Sequence, residues 1–125
     1  MKTIINTKNA PEPIGPYNQA VLVDGTLYVS GQIAIHPESG KIIDDTIEAE
    51  TEQVMANLSA ILKAAEMDFS NVVKSTIFLS DMEFFGKVNE TYGKYFHADF
   101  PARETVAVKN LPKNVNVEIS VIAVK

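Results

Sequence analysis

No cysteine occurs among the 125 residues, so a disulfide framework, a thiolate nucleophile and a zinc–thiolate site are all excluded. A reducing, cytoplasmic setting suits that composition. Long apolar runs are also missing. The first fifteen residues, MKTIINTKNAPEPIG, hold no hydrophobic targeting segment, and no stretch approaches the ~18 residues needed to span a bilayer. A soluble, cytoplasmic protein is the expectation. Positive charge is scarce, with 11 lysines and arginines against 16 acidic residues. The resulting net charge of -5 opposes both a nucleic-acid polyanion and an anionic membrane surface, so neither is expected as a partner. The only histidines are His36, in a turn, and His97, near a helix end; neither has a second ligand at metal spacing, and no metal is expected.

Repeats, low-complexity tracts and linkers are absent as well, and 46% hydrophobic residues suffice for one cored domain over residues 1–125. What is present is compact punctuation. Asp24-Gly25 separates AVLV (20–23) from TLYV (26–29), a two-residue hairpin signal that makes these strands antiparallel neighbours. HPESGK (36–41) reads as a turn into a short extended piece at 41–43. Asp45 and Glu48 have the spacing of a capping pair, and Ile47, Val54, Leu58, Ile61, Leu62 and Ala65 then keep helical spacing. The acidic run Asp44, Asp45, Glu48, Glu50 and Glu52 favours that helix N-terminus and is expected to stay solvated.

NVVKSTIFLS (71–80) alternates as a strand, with Lys74 as a strand-face charge. Ser80 and Glu83 have capping-box spacing before a second helix with a buried stripe of Phe84, Val88, Tyr92 and Tyr95. After Pro101, strands at 102–109 and 115–124 close the domain. The predicted architecture is α+β in the order ββ(β)αβαββ, a mixed, mostly antiparallel sheet with two helices on one face.

If the last two strands pair as a hairpin closed by Lys109 and Asn114, Val108 opposes Val115 and Val106 opposes Val117, giving a nearly apolar face with Glu104 as the misfit. The other face then sets Thr105 against Glu118 and Arg103 against Ser120. Arg103, just after FPA, offers a planar fork suited to a carboxylate. The alternative from spacing alone is a diagonal Arg103–Glu118 ion pair on a solvated sheet, serving no ligand.

GPYNQA (15–20), SGQI (30–33), VVKSTIFLSDM (72–82), VNETYGKYF (88–96), FPARETV (100–106) and LPKNVNVEISVIAV (111–124) together resemble the RidA/YjgF/UK114 family of reactive intermediate deaminases, nearly end to end. The resemblance implies a chorismate-mutase-like domain assembled as a homotrimer with sites between subunits. It implies hydrolysis of 2-imino acids, such as 2-iminobutanoate and 2-iminopropanoate, and of their enamine tautomers, to 2-oxo acids and ammonia, with no metal or organic cofactor.

By motif, Arg103 is implied to bind the substrate carboxylate, Glu118 to position or activate water, and Tyr17 to wall the pocket. Ser30, Gly31, Gln32 and Ile33 are implied to supply a strand edge, Gly31 permitting close approach. Asn89 falls on the helix line Phe85, Asn89, Tyr92, Phe96 and could face the same cleft. Where the family often has cysteine, this chain has Thr105, which keeps a small donor and acceptor but no thiol chemistry. Two other readings stay open: a carboxylate-binding or regulatory trimer without turnover, and RNA cleavage, which the acidic charge disfavours.

Overall fold

A computed structural model describes residues 1–125. The elements run β1 (Thr3–Ile5), β2 (Ala20–Val23), β3 (Thr26–Gln32), α1 (Ile47–Ala64), β4 (Val72–Leu79), α2 (Phe85–Gly93), β5 (Ala102–Ala107) and β6 (Val117–Val124). They form one six-stranded sheet in the order β1-β2-β3-β6-β4-β5. The Asp24-Gly25 hairpin forms as the sequence predicts: both residues take positive φ, 48° and 80°, the geometry of a tight turn that follows strand twist.

One face of the sheet is buried. Leu27, Val29, Ile77, Leu79, Val117, Ile119, Val121 and Ala123 alternate onto it and meet the α1 stripe Val54, Met55, Leu58, Ile61 and Leu62 and the α2 residues Val88 and Tyr92. Both helices therefore lie on the same side, as expected. No helix is long and apolar enough to cross a membrane.

Four details of the strands and helix caps differ from the sequence reading. The extra strand is β1 at the N-terminus, whereas residues 41–43 contribute only an isolated bridge between Ile35 and Ile42. Thr46, not Asp45, caps α1, accepting from the Ala49 N–H at 3.0 Å. Asp81 caps the turn before α2, because the Ser80 hydroxyl instead donates to Asn116 Oδ1 at 3.0 Å.

The fourth difference concerns the last hairpin, which does not form. β4 lies between β5 and β6, parallel to the first and antiparallel to the second. The reason lies in the connection: a strand, a crossing helix and a second strand form the unit that joins parallel neighbours, so β5 follows α2 back alongside β4. The alternation that would have put Arg103 and Thr105 opposite Ser120 and Glu118 is lost. Ser75 pairs with Arg103 and Ile77 with Thr105 on the helix face, while Phe78 pairs with Glu118 on the open one.

Glu50 corrects the expectation of a solvated acidic run. It is fully buried, and its carboxylate accepts from the Asn116 N–H at 2.7 Å, the Val117 N–H at 3.1 Å and Asn116 Nδ2 at 2.9 Å. Those donors belong to the entry of β6, where β4 pairs on one side but β3 no longer pairs on the other, so α1 supplies the missing acceptor. Glu50→Ala should therefore lower the unfolding free energy by about 3 kcal/mol or more, since three donors lose their acceptor. Its exposed neighbour Glu48, 3.9 Å from Lys87, should cost less than about 1 kcal/mol on the same change. Urea denaturation of both variants checks this, and equal costs would refute the anchoring role.

Candidate active site

The predicted site residues separate into two clefts. The first, about 400 Å³, is lined by Tyr17, Ser30, Gly31, Gln32, Ile33 and Glu118, with Pro11, Ile14, Ile35 and Pro112 adding an apolar wall that sequence reasoning missed. The second, about 500 Å³, holds Asn89 and Arg103 with Tyr92, Phe100 and Pro101. Thr105 lines neither cleft; its hydroxyl is buried without a hydrogen-bond partner.

A β-bulge builds the first cleft. Val29 pairs with Val121 and Gln32 with Ile119, so Ser30 and Gly31 face one residue fewer on β6. Gln32 is buried and donates from Nε2 to the Ser30 carbonyl at 3.2 Å, bracing the bulge from below. The Ser30 hydroxyl donates to the Asn18 carbonyl at 2.7 Å, which ties the Tyr17 loop to β3. Gln19, also buried, accepts from the Thr7 N–H at 2.7 Å and donates to the carbonyls of Thr7, Ala10 and Pro11, so the whole N-terminal loop is fixed beside the cleft. Tyr17 itself is half exposed, its hydroxyl accepting weakly from the Ile14 N–H at 3.4 Å.

Gly31 allows a close contact. A Cβ placed there would collide with Glu118 Oε2 and lie 2.9 Å from the carboxyl carbon, so the carboxylate rests directly on the glycine backbone. Burial pushes the Glu118 carboxyl above the usual carboxylate range. The group is suited to taking and returning a proton.

The second cleft fixes a cation. Arg103 Nη1 donates to Asn89 Oδ1 at 2.6 Å, and the guanidinium carbon sits 5.3 Å from the Tyr92 ring centroid and 5.7 Å from that of Phe85. Two aromatic faces thus hold the fork through cation–π attraction. Tyr92 is fixed in turn by donating to Ser75 Oγ at 2.8 Å, and burial raises its pKa, which keeps the hydroxyl protonated. The line Phe85, Asn89, Tyr92 read from the sequence is the one that grips Arg103. Lys74 is a strand-face charge, 3.2 Å from Glu104 on the open face, and His36 Nδ1 accepts from the Glu38 and Ser39 N–H groups in its turn.

An open sheet with both helices and a caged arginine on one side, and a carboxylate lying on a bulged strand on the other, defines the YjgF-like α+β class of small-molecule-processing domains. The chain belongs to the YjgF/RidA family, whose model, described as Endoribonuclease L-PSP, matches residues 7–125. It is 54% identical to a Lactococcus lactis protein named putative regulator AldR, over 96% of this chain and 95% of that one. It is 46% identical to the human protein named 2-iminobutanoate/2-iminopropanoate deaminase, over 100% of this chain and 91% of that one. The crystal structure of a Thermotoga maritima putative endoribonuclease superposes with a TM-score of 0.97 at 50% identity, covering 100% of this chain and 98% of that one.

The Gly31 contact yields a stability test. Gly31→Ala should destabilise by about 1–3 kcal/mol through overpacking against the carboxylate. Most of that cost should vanish in a Glu118→Ala background, which removes the colliding atoms. A double-mutant cycle by chemical denaturation measures the coupling; additive costs would show that the two groups do not touch.

Proposed function

We propose that this protein is a 2-imino acid deaminase. It hydrolyses 2-iminobutanoate, 2-iminopropanoate and their enamine tautomers, released by pyridoxal-phosphate enzymes, to 2-oxo acids and ammonia. It works in the cytoplasm as a homotrimer with three sites between subunits and uses no metal or organic cofactor. The observation that carries this reading is the division of the site: a fixed guanidinium opens on one side of the sheet and a half-buried carboxylate on the other. A second copy laying its Arg103 cleft over the Glu118 cleft completes a site that one chain lacks. Tyr28 and Val106, exposed on the open face, and Phe78 and Ile122, half buried there, offer apolar surface to such a neighbour. Human, bovine and Arabidopsis relatives named as imine or reactive intermediate deaminases, at 46%, 48% and 45% identity, support the same chemistry.

In this mechanism Arg103 forks the substrate carboxylate and holds C2 over Glu118. Glu118 takes a proton from water as the oxygen adds to C2, and delivers it to the imine nitrogen, giving a 2-amino-2-hydroxy acid. It then takes the hydroxyl proton and returns it to the amine as the C2–N bond breaks. The products are a 2-oxo acid and ammonia. Tyr17, Ile33 and the Gly31 backbone wall the reacting group, Ser30 and Gln32 hold that wall, and Asn89 holds Arg103. Thr105, two residues from Arg103 on β5, has its hydroxyl buried away from both clefts and takes no step here.

A second reading, a carboxylate-binding regulator without turnover, is favoured by the relative named putative regulator. Saturable 2-oxo acid binding with no imine turnover would establish it. RNA cleavage, named in the family model's description, is opposed by the net charge of -5.

A threonine dehydratase supplying the imine, with spectroscopic detection of its loss, tests the enzyme. Arg103→Ala and Glu118→Gln should each lower kcat/KM by about 100-fold or more. Refolding the two inactive variants together should restore about a quarter of the sites, those drawing an intact arginine from one copy and an intact glutamate from the next. No recovery in assemblies shown to be mixed by native mass spectrometry would place the site within one chain. Wild-type rates in both variants would end the assignment.

A further inference from the structure

We propose that Asn57, which lies outside both clefts, is a positioning residue that sets which imine side chains the site accepts; the proposal rests on the deaminase reading above. Asn57 is a fully buried amide on α1, one turn from Val54 and beside Leu58. Burying an amide there is costly unless every polar atom is used. Its Nδ2 donates to the carbonyls of Ile33 and Ile35, both at 3.0 Å. Its Oδ1 accepts from Gln53 Nε2 at 2.9 Å, which fixes the amide so that both N–H groups point at the carbonyls.

The segment held in this way is the one that needs holding. β3 ends at Gln32, so Ile33 and Ile35 have no continuous strand partner; Ile35 N–H folds back onto the Ile33 carbonyl at 2.8 Å, and Ile43 N–H reaches the Ala34 carbonyl at 2.8 Å. Ile33 and Ile35 both line the Glu118 cleft, directly after the bulge that carries Gly31. The α1 amide therefore sets how far two branched side chains project into the space for the substrate's alkyl group. Glu50, seven residues earlier on α1, fixes the entry of β6 just ahead of Glu118. One helix thus references both walls of the cleft from behind.

The test uses Asn57→Asp, which aims an oxygen at two carbonyl oxygens, and Gln53→Met, which frees the amide to rotate from a half-buried position where loss of folding is not a concern. For each variant kcat and KM are measured with 2-iminopropanoate, 2-iminobutanoate and 2-imino-4-methylpentanoate released in situ by an L-amino-acid oxidase. Binding of the matching 2-oxo acids is measured by calorimetry. The expected result is a change of about 10-fold in the ratio of kcat/KM between the shortest and the branched imine, because a methylene in an apolar pocket is discriminated by about that much. The 2-oxo acid affinities should shift in the same sense. An equal loss for every side chain, with the ratio kept within about twofold, would make Asn57 purely structural and overturn the proposal. A wild-type protein that binds 2-oxo acids but turns over no imine would overturn the deaminase reading, leaving the binding series to decide the role of Asn57. A wild type that does neither sinks both.

Discussion

β4 sits between β5 and β6, and side chains alternate across any strand, so Arg103 and Glu118 are forced to opposite faces of one sheet. No rotamer change can bring them together within a chain. The whole functional layout follows from this separation. The helix face, where α2 packs, supplies aromatic rings and an amide that hold a guanidinium still. The open face, uncovered by helices, supplies a bulge on which a carboxylate can lie against bare backbone. A held cation and a half-buried acid are thus built under different packing conditions, on opposite faces of one sheet.

Buried polar groups do the local holding. Glu50, Asn57, Gln19 and Gln32 are each buried, and each spends its hydrogen bonds on backbone outside regular strand pairing: the β6 entry, the β3 exit, the N-terminal loop and the bulge. An apolar residue at any of these positions would pack, but it would leave carbonyl or N–H groups unsatisfied. The acidic cleft residue is the opposite case. Glu118 is partly desolvated with no cation beside it in its own chain, and that burial raises its pKa.

Much of this was legible in the sequence. Period-two and period-3.6 patterns located all the long elements, because burial of one face leaves a repeating mark in composition. The Phe85, Asn89, Tyr92 line was readable for the same reason, since residues four and three apart on a helix share a face. The burial of Glu50 was not readable: an acidic residue in the first turn of a helix looks solvated until a distant backbone, residues 116–117, arrives to use it. The caps at Thr46 and Asp81 were each one residue from the predicted ones, because several adjacent oxygen-bearing side chains compete for a helix start and only packing chooses among them.

By itself the sequence determined the fold class, the two helices and the tight Asp24-Gly25 turn, and through GPY, SGQI, FPAR and VEI it singled out residues that line the two clefts. These are local properties, set by side-chain type and spacing along the chain. Tertiary structure alone decided that β5 runs parallel to β4 and does not pair with β6, and so that Arg103 and Glu118 belong to two clefts. Strand order depends on long-range pairing, and a short connection between two strands does not oblige them to pair when a helical crossover lays one of them parallel beside a third.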